Sequence, residues 1–186
     1  MVPVMSLWLP IVVAAVIVFV ASSIIHMVLP YHRNDFGKVP KEDEVMNALR
    51  PFNIPPGDYV IPFAGSPDAM KKPEFIEKAK KGPVVFMTAL PSGIPGMGAS
   101  LVQWFLYCVL VGIFAAYITG RALESGANYL EVFRFAGCTA FLGYGMALLQ
   151  NSIWYKRNWP ATLKSVFDSL VYGLLTAGTF GWLWPR

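Results

Sequence analysis

The sequence predicts an α-helical integral membrane protein, with four transmembrane helices and a small α+β cytoplasmic insertion between helices 1 and 2. Three observations predict it. Hydrophobic residues make up 55% of the 186-residue chain and charged ones only 14%, whereas ordinary soluble domains carry about 25% charge. The apolar residues come in blocks, 7–29, 99–119, 129–150 and 163–183, each near the roughly 20 residues that cross a bilayer. The basic residues are one-sided. Nine of the fifteen follow the first block, and Lys156, Arg157 and Lys164 precede or open the last; only Arg121, Arg134 and Arg186 fall elsewhere. Positive charge is retained on the cytoplasmic side, so both termini are expected in the periplasm. The net charge of +4 follows from that asymmetry and implies no nucleic-acid partner. The expected organisation is a first transmembrane helix at 1–29, a cytoplasmic α+β insertion at 30–98 and a three-helix transmembrane bundle at 99–186. The short joins at 120–128 and 151–162 make the last three helices antiparallel neighbours.

The first span begins after an uncharged Met1–Ser6. That start has neither the basic residues nor the small-residue cleavage site of a signal peptide, so the span is expected to be retained. Trp8 suits the outer interface, and Pro10 is tolerated in a first turn. Beyond the span run Leu29-Pro30-Tyr31-His32-Arg33-Asn34-Asp35, Pro40-Lys41-Glu42-Asp43-Glu44, Ala48-Leu49-Arg50-Pro51 and Pro55-Pro56-Gly57-Asp58-Tyr59. These segments resemble a family of bacterial inner-membrane proteins to which no activity is assigned. The resemblance covers about the first third of the chain, and the rest by layout. It implies a bacterial inner membrane and one span, a small domain and three spans. It carries no catalytic residue to this chain.

Within the insertion, 41–50 predicts a helix, with Glu42, Asp43 and Glu44 at its positive end and Pro51 as its stop. Residues 58–63 read as a short strand after the Pro56-Gly57 turn. Residues 73–81 read as a second helix closed by Gly82, and 84–90 as the clearest strand. The glycine-rich Ser92–Gly98 stretch lacks the Gly-Lys-Ser/Thr of a phosphate loop and reads as a linker.

The last helix carries small residues every fourth position: Ala161, Ser165, Ser169, Gly173, Ala177 and Gly181. Positions four apart share a helix face, and in lipid such bare faces are where helices approach. Phe167, Leu170, Leu174 and Leu175 oppose it. The second span offers Cys108, Gly112, Ala116 and Gly120, and the third Thr139, Gly143 and Ala147. Helix packing is therefore assigned to Ser165, Ser169, Gly173, Ala177, Gly181, Gly112 and Ala116. Trp104, Trp154, Tyr155 and Trp159 read as the inner aromatic belt, and Trp182 and Trp184 as the outer one. Cys108 and Cys138 read as small buried residues near mid-membrane and not as a redox pair.

Ionisable groups at membrane depth are the default functional suspects. Glu131 and Arg134 are expected to pair, with Asn128 and Glu131 close to a capping box. A polar cluster of His26, Gln103, Lys164 and Asp168 is expected at the inner ends of the spans, with Lys164 and Asp168 paired one turn apart. His26 is also a possible pigment or haem ligand. One membrane histidine cannot supply both axial ligands of a bis-histidine haem, so no cofactor is expected beyond a pigment or haem shared with a partner. No catalytic or metal-ligating motif is read. The expected function is a non-catalytic accessory or scaffold subunit of a larger bacterial membrane complex, respiratory or photosynthetic. Its partners are other membrane-protein subunits and the lipid bilayer. A small membrane transporter or channel component is the alternative, and the mid-membrane zone holds no charge to support an ion path.

Overall fold

The computed structural model describes residues 1–94 and 96–186. A 3-10 turn at Val4–Leu7 leads into α1, Trp8–Ser23, which widens into a π turn at Ile24–Val28. The insertion follows as α2 Glu42–Leu49, β1 Gly57–Ile61, α3 Pro67–Met70, α4 Pro73–Lys81 and β2 Val85–Ala89. The chain ends in α5 Met97–Ala122, α6 Tyr129–Gly145, the short α7 Leu149–Ile153, and α8 Trp159–Trp182. It divides into two compact units, Met1–Gly37 with Gly96–Arg186, and Lys38–Pro95. Residues 30–37, expected in the insertion, thus belong to the helical unit. Pro95, inside the expected linker, lies outside the described residues.

Among the described residues, three helical stretches are long and apolar enough to span a membrane: Val4–Val28, Met97–Ala122 and Tyr129–Ile153. The chain therefore reads as a membrane protein. α8 is 24 residues long but is not among the three. The small and hydroxyl residues that bare its face also dilute its oiliness.

In the helical unit, α8 runs antiparallel along α6. Ser169 meets Gly145, Gly173 and Ala177 meet Gly137, and Gly181 meets the Tyr129 ring. A Cβ on Gly137 would come within 2.7 Å of the Ala177 Cβ, so the contact requires glycine. Gly112 lies against Ile11 of α1, and Ala116 beside it is fully buried. The α6 face turned to α8 is Gly137, Phe141 and Gly145, not Thr139, Gly143 and Ala147. Gly143 instead meets Val111 of α5, and Ala147 is exposed. The core is correspondingly short in large aliphatics. Leu7, Ile11, Ala14, Ala115, Ala116, Val132, Ala136 and Phe180 fill one half. Ala15, Val18, Cys108, Val111, Ala140, Tyr144 and Tyr172 fill the other.

Details of the ends depart from expectation in places. Asn128 and Glu131 form a full capping box, and Glu131 makes no salt bridge with Arg134 among the described residues. Trp184 is buried and donates to the Glu124 carbonyl at 3.0 Å. Trp104 donates to the Ser22 hydroxyl at 2.7 Å, so it is a packing residue and not only a belt residue. Cys108 is buried, but Cys138 is exposed and both thiols are free.

The second unit is a two-stranded antiparallel ribbon with helices. Gly57 pairs with Ala89 and Ile61 with Val85, and Thr88 donates across to Asp58 at 2.6 Å. Pro73 opens α4, its basic residues sit late, and Gly82 at φ +63° ends it. The sequence did not mark α3, which Ser66 caps by accepting from the Ala69 N–H at 3.2 Å. Among the described residues of this unit only Pro62 is buried.

Candidate functional site

The site grows from the way α1 ends. Its last turn is wide, with the Leu29 N–H donating to the Ile24 carbonyl at 3.1 Å, five residues back. Pro30 cannot continue the ladder, and it holds Leu29 extended (φ −79°, ψ 139°). A 3-10 turn at Pro30–His32 then folds the chain back on the helix. The result is that the His32 ring lies over the His26 ring, centroids 4.4 Å apart. Asp35, three residues on, places Oδ2 2.6 Å from His32 Nδ1.

α8 supplies the other wall. Lys164, Asp168 and Tyr172 are spaced four apart and so share one face. Asp168 Oδ2 lies 2.8 Å from His32 Nε2. Lys164 donates to Asp35 Oδ1 at 2.9 Å and to the Tyr31 carbonyl at 2.8 Å, with its ammonium 5.3 Å from the Tyr31 ring centre. The Tyr172 hydroxyl lies 3.3 Å from His26 Nε2.

The expected Lys164–Asp168 pair is thus replaced by a chain, Lys164–Asp35–His32–Asp168. The physical reason is that both α8 side chains find partners on the folded-back 31–35 segment, which brings one base and one acid between them. Lys164 reaches outward along its flexible stem, and Asp168 stays buried. Gln103 is exposed on α5 and makes no hydrogen bond to the cluster. His26 is in it, through Tyr172 and the stacked His32. The two rings are tilted by 32° with centroids 4.4 Å apart, which leaves no room for a porphyrin plane between them as they stand.

A neutral imidazole has one N–H, yet both His32 nitrogens face carboxylate oxygens. Each His32 nitrogen thus has a carboxylate oxygen within hydrogen-bond distance, Asp35 on one side and Asp168 on the other. Burial works to raise the Asp35 pKa, but the hydrogen bonds from His32 and Lys164 outweigh it and hold the carboxyl below its ordinary range. Burial, with Asp168 nearby, pushes the Tyr31 phenol up. His26, His32 and Asp168 each offer a donor atom, all within 4.8 Å of one another.

Sequence reasoning placed His26, Lys164 and Asp168 here but missed His32, Asp35 and Tyr172. The available signal was the Pro30 break beside two histidines six apart. It also missed a ring cluster continuing into the bundle, Trp104, Tyr107, Tyr144 and Tyr172, with neighbouring centroids 5.6–6.1 Å apart. Elsewhere, Phe133, Gly137, Cys138, Phe141, Leu170 and Leu174 line a shallow apolar groove of about 190 Å³ between α6 and α8.

Compared with known proteins, the chain matches no family model, no curated protein and no solved structure.

Proposed function

We propose that this protein is a non-catalytic accessory or scaffold subunit of a larger bacterial inner-membrane complex, respiratory or photosynthetic. It crosses the bilayer four times, with both termini periplasmic and the insertion cytoplasmic. Support for the fourth span is that α8 follows α6 from Gly145 to Tyr129, so a membrane that holds α6 also holds α8. Its two charged side chains turn to the 31–35 segment and not to lipid.

The observation that carries the subunit reading is the insertion. A unit of roughly 60 residues is too small to bury a large core, and among the described residues of this one only Pro62 is buried. Phe52, Phe63, Leu90 and Ile94 are all more than half exposed. Large apolar side chains standing in water mark interaction surfaces, and a second subunit is what the reading puts over them. The test is mild-detergent purification of the tagged protein from its native membrane, beside a Phe52→Ser, Phe63→Ser, Leu90→Ser variant. Stoichiometric membrane subunits accompany the parent and are lost from the variant, while α-helical circular dichroism is unchanged. A parent that purifies alone, folded and behaving like the variant, rules the reading out.

A further inference from the structure

We infer that His26, His32 and Asp168 form a binding site for one divalent transition-metal ion of the Zn²⁺/Co²⁺ class. The chain has only two histidines, and the π turn and Pro30 bring both to one point. With Asp168 they present two imidazole nitrogens and a carboxylate oxygen, all within 4.8 Å. Bonds of about 2.0–2.1 Å in a tetrahedral shell put donors roughly 3.3 Å apart. His32 Nε2 and Asp168 Oδ2, now 2.8 Å apart, need to open by about half an ångström to meet that spacing. The remaining adjustment falls on His26, which is exposed and held by the 3.3 Å contact to Tyr172 and the ring contact with His32. Three protein ligands leave a fourth position for water or another ligand, and the exposed His26 side gives the ion its access.

The outer ligand shell is already assembled. Ligating histidines generally donate their second ring N–H to a carboxylate, which fixes the tautomer and ring orientation. Asp35 holds His32 Nδ1 in that manner at 2.6 Å, and Lys164 in turn anchors Asp35 at 2.9 Å. His32 therefore points Nε2 at the site. The ion takes the place of the hydrogen bond between His32 Nε2 and Asp168, and the proton of that bond leaves to solvent. The clasp alone explains His32, Asp35, Lys164 and Asp168. It does not use His26, whose ring lies against His32 where a second ligand is needed. Two imidazoles and one carboxylate suit zinc, cobalt or ferrous iron, and suit calcium or magnesium poorly.

The test uses the full chain in detergent, with an affinity tag free of histidine, stripped by chelator and titrated with Co²⁺. One Co²⁺ per chain binds with the visible absorption of low-coordinate cobalt, and Zn²⁺ displaces it. His26→Gln keeps the Lys164–Asp35–His32–Asp168 chain and weakens binding at least tenfold, with the metal-free protein still folded by α-helical circular dichroism. Asp35→Asn, which alters only the outer shell, weakens binding by about 10–100-fold. Absence of a saturable cobalt band in the parent overturns the site. Equal binding by the parent and His26→Gln overturns it as well, because the ion is then held elsewhere. The result does not depend on whether the protein has a partner complex.

Discussion

Asp35 is the residue on which the clasp turns, since it takes donors from both sides: His32 at 2.6 Å and Lys164 at 2.9 Å. Its side chain is 7% exposed and that of Lys164 is 26% exposed, so solvent screens the pair only in part. Removing one partner leaves the other poorly satisfied, whereas removing both leaves neither stranded. In a cycle of Lys164→Met, Asp35→Asn and the double variant, each single change is expected to cost about 1–3 kcal/mol at neutral pH. The double should cost less than the sum by about 1 kcal/mol. The direction with pH follows from the lowered Asp35 pKa. The unfolded chain then takes up its proton first as pH falls, so the contribution is complete above the ordinary carboxylate pKa of about 4. It disappears as pH drops through the lower native value. Thermal melts in detergent at pH 7 and near pH 3 measure this, and simple additivity at pH 7 refutes the coupling. From sequence, Asp168 was legible as a buried charge in need of a partner. The partner was not, because residues 31–35 look like the start of a loop until Pro30 is seen to turn them back.

At the scale of the helix, the close approach of α6 and α8 rests on what their facing positions lack. A Cβ on Gly173 would lie 3.1 Å from the Phe141 Cβ and 3.2 Å from the Gly137 carbonyl oxygen. Gly173→Leu therefore forces two backbones apart and is expected to destabilise by at least about 1–3 kcal/mol, or to prevent folding. Leu174, its neighbour, is 48% exposed, so Leu174→Ala should stay within about 0.5 kcal/mol. Melting temperature and size-exclusion profile separate the two; equal behaviour means that the small face is not the contact. The α8 face was legible because six small residues in register leave one answer. α6 has glycines on two faces, at Gly137 and Gly145 and at Gly143, because it has two neighbours. A repeat of four alone does not say which face meets which helix. The same limit explains Cys138, which shares a helix with buried residues but falls on the outer side. The strands of the insertion were legible for the opposite reason, since Gly, Pro and β-branched residues mark them locally.

At the scale of the whole molecule, topology ties the separate findings together. The insertion joins the end of α1 to the start of α5. The proposed topology, argued from the one-sided basic residues, puts the His26 end of α1 in the cytoplasm. Under that proposal the polar cluster faces the cytoplasm, and an ion bound at the proposed metal site would come from the cytoplasmic pool. The opposite end of the helical unit is stitched by backbone contacts, the Val2 N–H to the Gly120 carbonyl at 2.7 Å and the Gly126 N–H to the Pro185 carbonyl at 2.9 Å. Single cysteines placed at Met5 and Lys72 in a Cys108→Ala, Cys138→Ala background report the sides directly, because both native residues are exposed. Removing Cys138 also matters, since its thiol is exposed and would add its own signal. A membrane-impermeant maleimide applied to intact cells with a permeabilised outer membrane is expected to label Met5→Cys at once. Lys72→Cys should label only after the inner membrane is broken. Labelling of Lys72→Cys from outside reverses the molecule, and the ion would then come from the periplasm. Labelling of both from outside means that α1 does not cross, and the four-span reading falls with it.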